Sequence, residues 1–364
     1  MKVALEELSK NMARGRRKKC HVPWPDLPLH LLELVSSRLP LIDYLNFRRV
    51  CSTWRAAAKQ HNPCPDYPLL MTPGRRVGRR VDDDCRFFIK ASDGKRCVMV
   101  LPEFGKRYSY VGCFYGWLLI GDLHLRHLLF LMNPFTGARI DLPLWDVTKS
   151  VYRATLSSPP TEPNCVVIIL NFWYSNITFC RIGDNKWTTQ ECHLEKPEEA
   201  LLFRGKFYIL CHQLRLPDAE CSSQPKLAMM KLPQGPHHSY TSWKCVPYLV
   251  ESGDEILLVV KGYSRPNGAV DRIIVFQLDL STSSWLVLES LRDHILFLGE
   301  NCSLSLQAAS LGCRGNRIYF TEPHHSGWWE FDMEKGSIVS ISRRNGGHKY
   351  TNVNPPVWIT PHFV

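Results

Sequence analysis

Between residues 24 and 61 the apolar positions repeat at helical spacing. Leu27, Leu31, Leu34 and Val35 recur at i, i+4, i+7 and i+8, with Leu32 beside them, and this predicts one helix face. Pro28 suits a first helical turn and Pro40 closes the segment. Asp43 stands where an N-cap would start a short second helix through Tyr44, Leu45 and Phe47. A third helix carries Val50, Cys51, Trp54, Ala57 and Ala58, and Pro63 and Pro65 stop it. Three helices this short bury little surface, so the unit wants a partner or a neighbouring domain.

From about residue 83 the pattern changes. Short apolar or alternating runs, rich in β-branched and aromatic residues, are separated by turn signals. The predicted strands lie at 86–90, 108–114, 117–120, 128–132, 166–172, 177–182, 201–203, 207–211, 228–232, 256–260, 273–278, 285–288, 305–311, 317–321, 328–331 and 338–342. A degenerate repeat runs through them. Tyr115-Gly116, Arg204-Gly205, Gly253-Asp254 and Arg314-Gly315-Asn316 each lead into an apolar strand. Polar turns follow at Asn133-Pro134-Phe135-Thr136-Gly137, Gly183-Asp184-Asn185-Lys186-Trp187, Asp279 to Trp285, and Asp332 to Gly336. The spacing from Gly205 to Gly253 is 48 residues, inside the period of propeller blades, about 40–50 residues. The fold class expected is a small all-α module of three helices followed by a large all-β domain, an irregular β-propeller. A β-sandwich is the alternative.

The expected organisation is a flexible basic tail at 1–20, a helical module at 21–61, a linker at 62–84 and the β domain at 85–364. Composition adds little to this. Hydrophobic residues are 45% and charged residues 22% of 364, ordinary for a globular chain, which excludes disorder as the main state. Charge adds more. The net +11 is concentrated at the start, where seven basic residues in 1–19 face only Glu6 and Glu7. The body is therefore only mildly basic, and a global argument for nucleic-acid binding is weak. The cluster Arg14, Arg16, Arg17, Lys18 and Lys19 reads as a nuclear localisation signal or a polyanion contact.

Candidate chemistry is sparse. The 14 cysteines include no C-x-x-C pair, and the smallest gap between them is 10, so neither a zinc site nor a redox motif is expected. Phosphate-binding glycine loops and nucleophile elbows are missing too. The expectation is a non-catalytic chain without metal or cofactor, its cysteines free and buried. No apolar run approaches the roughly 18 residues that span a bilayer, and no secretory signal opens the sequence, so no membrane partner is expected. Residence in the nucleus, the cytoplasm or both follows.

The combination Asp26-Leu27-Pro28, Leu31-Leu32, Arg38-Leu39, Asp43, Phe47-Arg48, Val50-Cys51 and Trp54-Arg55 resembles an F-box. The resemblance implies docking to the Skp-type adaptor of cullin-based ubiquitin ligases. The positions matching the family's apolar set are Leu27, Pro28, Leu31, Leu32, Val35, Leu39, Leu45, Val50, Cys51 and Trp54. Leu27, Pro28, Leu31 and Val50 lead as adaptor contacts, and Trp54 would hold the helices together. Pro40 departs from many relatives and would alter the first loop. The remainder resembles the plant F-box family with a kelch-like C-terminal β domain. The cues are Asn133 to Gly137 followed by Leu142-Pro143, Phe203 to Tyr208, Phe331-Asp332-Met333 and Pro356 to Pro361. The function implied is recognition of a protein client for ubiquitination. One alternative is a nucleic-acid or chromatin binder acting through the basic tail. A propeller enzyme with paired carboxylates in a central pocket is another.

Overall fold

A computed structural model describes residues 27–58, 68–73, 76–77, 80–81, 85–91, 96–100, 108–122, 127–146, 151, 153–170, 176–191, 195–213, 229–233, 235–236, 244–264, 269–300, 302–322, 327–341 and 356–361. The basic tail and its localisation cluster lie outside them. The chain divides into two compact units, Met1–Cys64 and Pro65–Val364.

The first unit holds α1 (Leu29–Ser36), α2 (Leu41–Val50) and α3 (Ser52–Ala58). Pro28 and Pro40 occupy the N-cap positions of α1 and α2 in extended conformation, which suits the residue ahead of a first helical turn. Asp43 is thus in the first turn of α2 and not its cap, where its charge still complements the helix dipole. The core is small: Leu32 and Ser36 from α1, Leu41, Tyr44 and Phe47 from α2, Ala57 and Ala58 from α3. The buried Tyr44 hydroxyl donates to Ala58 O at 2.5 Å, tying α2 to α3. Burial pushes the Tyr44 phenol up, against the pull of Arg48, and so keeps the donated proton in place. The Phe47 and Trp54 rings sit 4.4 Å apart.

The second unit contains six sheets of three to five strands among the described residues. The first joins Val357–Ile359, Leu69–Pro73, Cys85–Lys90 and Arg96–Val100. The second is Tyr108–Phe114, Trp117–Asp122, Leu129–Met132 and Arg139–Asp141. The third is Arg153–Leu156, Val166–Leu170, Asn176–Arg181 and Thr188–Glu191. The fourth is Glu195–Phe203, Lys206–Gln213 and Met229–Lys231, the last strand parallel to the second. The fifth is Lys244–Ser252, Glu255–Tyr263, Val270–Asp279 and Ser284–Val287. The sixth has the spatial order Leu304–Gln307, His294–Leu298, Arg317–Thr321, Trp328–Asp332, Ser337–Ser340. The leading strand of each sheet lies beside that of the next, from Val357–Ile359 to Leu304–Gln307. That is a propeller, not two stacked sheets.

Alternation explains the long apolar runs. In Val166–Leu170, Val167 and Ile169 join a core with the second sheet, while Val166, Ile168 and Leu170 join one with the fourth. In Glu255–Tyr263, Ile256, Leu258 and Val260 face the fourth sheet and Leu257 and Val259 the sixth. A strand buried on both faces has no polar side to show. The seam between the sixth and first sheets is made by Trp358. Its indole N–H donates to Leu298 O at 3.1 Å, and its ring meets Phe297 edge-on. Its backbone N–H donates to Cys302 Sγ at 3.0 Å. A Cβ at Gly299 would come within 3.0 Å of Cys302 Sγ and 3.2 Å of the Trp358 ring, so glycine lets the two approach closely here.

The repeat has a physical basis. Asn133, Asp279 and Asp332 each use a side-chain oxygen to accept backbone N–H groups two and three residues on. Each of these turns leads into the outermost strand of its sheet, as side-chain capping of turns allows. The Trp187 indole donates to Pro143 O at 2.8 Å and the Trp285 indole to Pro233 O at 3.1 Å, so each tryptophan anchors a Leu-Pro segment that follows the preceding sheet.

The expected linker at 62–84 needs correction. Leu69–Pro73 is a buried strand of the first sheet, paired on one side with Val357–Ile359 and on the other with Cys85–Lys90. A strand whose partner lies near the far end of the chain gives no local signal. The triplet Asp82-Asp83-Asp84 lies outside the described residues.

Candidate functional site

Helix α1 shows its apolar stripe to the outside. Leu31 is 41%, Leu34 49% and Val35 47% exposed, and Val50 at the end of α2 is 55% exposed. Leu32, at 1%, is the aliphatic side chain of α1 that completes the core, with Ser36 one turn on. Leu31, Leu34 and Val35 share one helical face, and Leu32 and Ser36 lie to its inward side. Ser36 and Ser37 donate to Glu33 O and Leu34 O at 2.9 and 3.0 Å, so the last turn closes its own carbonyls. A surface helix normally turns such a stripe to its core. Here the module is closed without it.

The positions expected from the sequence divide accordingly. Pro28, Leu31, Val35 and Val50 are exposed; Leu27, Leu39, Cys51 and Trp54 are half-buried. Leu32 points inward and supports the fold. The Leu45 side chain lies outside the described residues. Leu29, 46% exposed, and Leu34 were missing from the expected contact set. Leu34 was visible in the same periodic set as Leu27 and Leu31.

Inside the ring, inner strands bring charges together. Arg153 Nε lies 3.5 Å from Glu199 Oε1 and donates to Glu198 O at 3.4 Å. Burial pushes the Glu199 carboxyl up to about 7, with Arg153 opposing and Glu198 and Glu300 adding to the rise. Burial likewise pushes the Cys180 and Cys302 thiols up to about 12, so neither is a reactive thiolate. No group of three or more His, Cys, Asp or Glu side chains is placed to hold a metal among the described residues.

A closed three-helix module with an outward apolar face, ahead of a β-propeller, is the build of an F-box receptor. Residues 24–65 match the F-box domain, and residues 88–344 match the KIB1-4 beta-propeller. The chain belongs to the KIB1-4 beta-propeller family of plant F-box proteins. It is 22% identical to the F-box protein SKIP23 of Arabidopsis thaliana, over 94% of this chain and 96% of that one. It is 26% identical to an F-box/kelch-repeat protein of the same plant, over 82% of this chain and 83% of that one. TolB from Acinetobacter baumannii superposes on 87% of this chain and 72% of its own, at TM-score 0.39 and 11% identity, a likeness too slight to argue from. F-box proteins of this kind are in general non-catalytic substrate-recognition subunits of Skp–cullin–F-box ubiquitin ligases.

Proposed function

We propose that this chain is such a receptor: the outer face of α1, with Val50, docks a Skp-type adaptor and through it a cullin, and the propeller holds a protein client. The observation that carries the reading is the apolar face of Leu31, Leu34 and Val35, left outside a module whose core is already complete. A helix laid on such a face buries aliphatic anchors at helical spacing. The chain supplies no reacting group in this reading. It raises the effective concentration of a client lysine near a charged conjugating enzyme.

Co-expression of the full chain with a Skp-type adaptor, followed by size-exclusion chromatography, tests this. One stoichiometric peak is expected. Leu31→Asp with Leu34→Asp should split that peak while the circular dichroism of the chain is unchanged, and Leu27→Ala with Pro28→Ala should weaken it. Separate elution of two folded wild-type proteins would overturn the proposal.

A further inference from the structure

Lys261 is the next member of the alternating series Leu257, Val259 that faces the sixth sheet, and its side chain is 0% exposed. A lysine there should be intolerable unless its ammonium is fully partnered. It is. Nζ donates to Glu322 Oε1 at 2.6 Å and to Thr321 O at 3.2 Å. Three rings surround it, with centroids of Tyr248, Phe320 and Tyr263 at 5.3, 5.4 and 5.5 Å. The Tyr263 hydroxyl donates to the same Glu322 oxygen at 3.4 Å. Aromatic rings with a carboxylate are the chemistry by which proteins recognise alkylammonium ligands.

We propose that this seam is an ammonium-binding cage occupied by the chain's own Lys261, and that the captured cation locks the fifth sheet to the sixth. Lys261 and Tyr263 come from one strand and Tyr248 from its neighbour in the fifth sheet; Phe320, Thr321 and Glu322 come from the sixth. Tyr263 ends the second strand of the fifth sheet and Glu322 follows the third strand of the sixth, so the lock ties the ends of two strands from neighbouring sheets. Burial works against the charge, while Tyr248, Glu322 and Tyr263 favour it, and the balance holds the Lys261 proton above the ordinary lysine range. The lock therefore stays charged through neutral pH.

Chemical rescue in the full chain provides the test. Lys261→Ala removes the equivalent of n-propylammonium from the cage. The variant should melt several degrees below wild type and lose hydrogen-exchange protection in Glu255–Tyr263 and Arg317–Thr321. Added n-propylammonium chloride should restore both, whereas 1-propanol and sodium chloride should not. If Lys261→Ala yields no folded protein, Glu322→Gln, which deletes one charge at constant shape, should still lower the melting temperature. Equal rescue by 1-propanol would overturn the proposal. So would wild-type melting of both Lys261→Met and Glu322→Gln, because apolar packing alone would then hold the seam.

Discussion

The helical module and the propeller use apolar side chains in opposite ways. In inner strands of the propeller such as Val166–Leu170, even and odd positions are both consumed, one set by each neighbouring sheet. In the module, the core is closed by a few side chains led by Leu32, Tyr44 and Phe47, and Leu31, Leu34, Val35 and Val50 are left in solvent. Burial of one large aliphatic side chain contributes about 1.5–3 kcal/mol, so leaving four exposed is a substantial forfeit unless a second molecule covers them. In the proposed reading, the module's outer face is half of an interface.

The comparison breaks most sharply at Trp358. If the ring is closed as a packing unit, Trp358→Ala should cost about 3–5 kcal/mol, the range for deleting a large buried aromatic. Denaturant titration of the full chain reads this directly. A cost below about 1 kcal/mol would mean that the first and sixth sheets are not held together through this side chain.

Next come two neighbours on α1 that differ only in direction. Leu32→Ala should destabilise the module by about 2–5 kcal/mol through the cavity it leaves. Leu34→Ala should leave stability within about 0.5 kcal/mol of wild type and weaken adaptor binding instead. Thermal melts and titration calorimetry on the same two proteins separate the effects. Equal behaviour of the pair would remove the distinction between core and docking face.

A smaller effect concerns pH. The folded Glu199 carboxyl titrates near 7, and its ordinary value is 4.5. Between those values the folded chain holds a proton that the unfolded chain has lost, so stability rises as pH falls from about 8 towards 5. The full swing for this one group is at most about 3.5 kcal/mol. Glu199→Gln should flatten that slope and stabilise the propeller at pH 8. An unchanged slope would place the carboxyl in contact with water.

Much of this was legible in the sequence, and the omissions have physical causes. The helical stripe, the type of each unit and the Asx turns at Asn133, Asp279 and Asp332 are local patterns. The missed strands fall into two groups: Leu69–Pro73, Arg153–Leu156, Lys244–Ser252, His294–Leu298 and Val357–Ile359 on the inner side of their sheets, and Arg96–Val100, Arg139–Asp141 and Thr188–Glu191 at the outer edges. Val357–Ile359 takes its strand character from Leu69–Pro73 at the other end of the unit, whereas Arg153–Leu156 and Lys244–Ser252 pair with the next strand in the chain and open on a charged residue, Arg153 and Lys244, which masks a short apolar run. The direction of the α1 stripe was also invisible. Periodicity finds a face but does not say whether the chain's own core or another molecule takes it up.

The smallest effect tests whether the degenerate repeat is a unit of energy as well as of pattern. Trp187 and Trp285 stand at the start of equivalent outer strands and make the same bond, an indole N–H to the carbonyl of the proline in a Leu-Pro pair. Phenylalanine keeps an aromatic ring and deletes the donor, so each Trp→Phe change should cost about 1 kcal/mol, the usual net value of one hydrogen bond. Trp187 also packs edge-on against Trp145, with centroids 5.1 Å apart, so Trp187→Phe should be the costlier of the two. The sites lie in different sheets and share no partner, so the double variant should equal the sum of the singles within about 0.5 kcal/mol. A clear excess over that sum would show that the sheets do not respond independently. The propeller would then be one cooperative body.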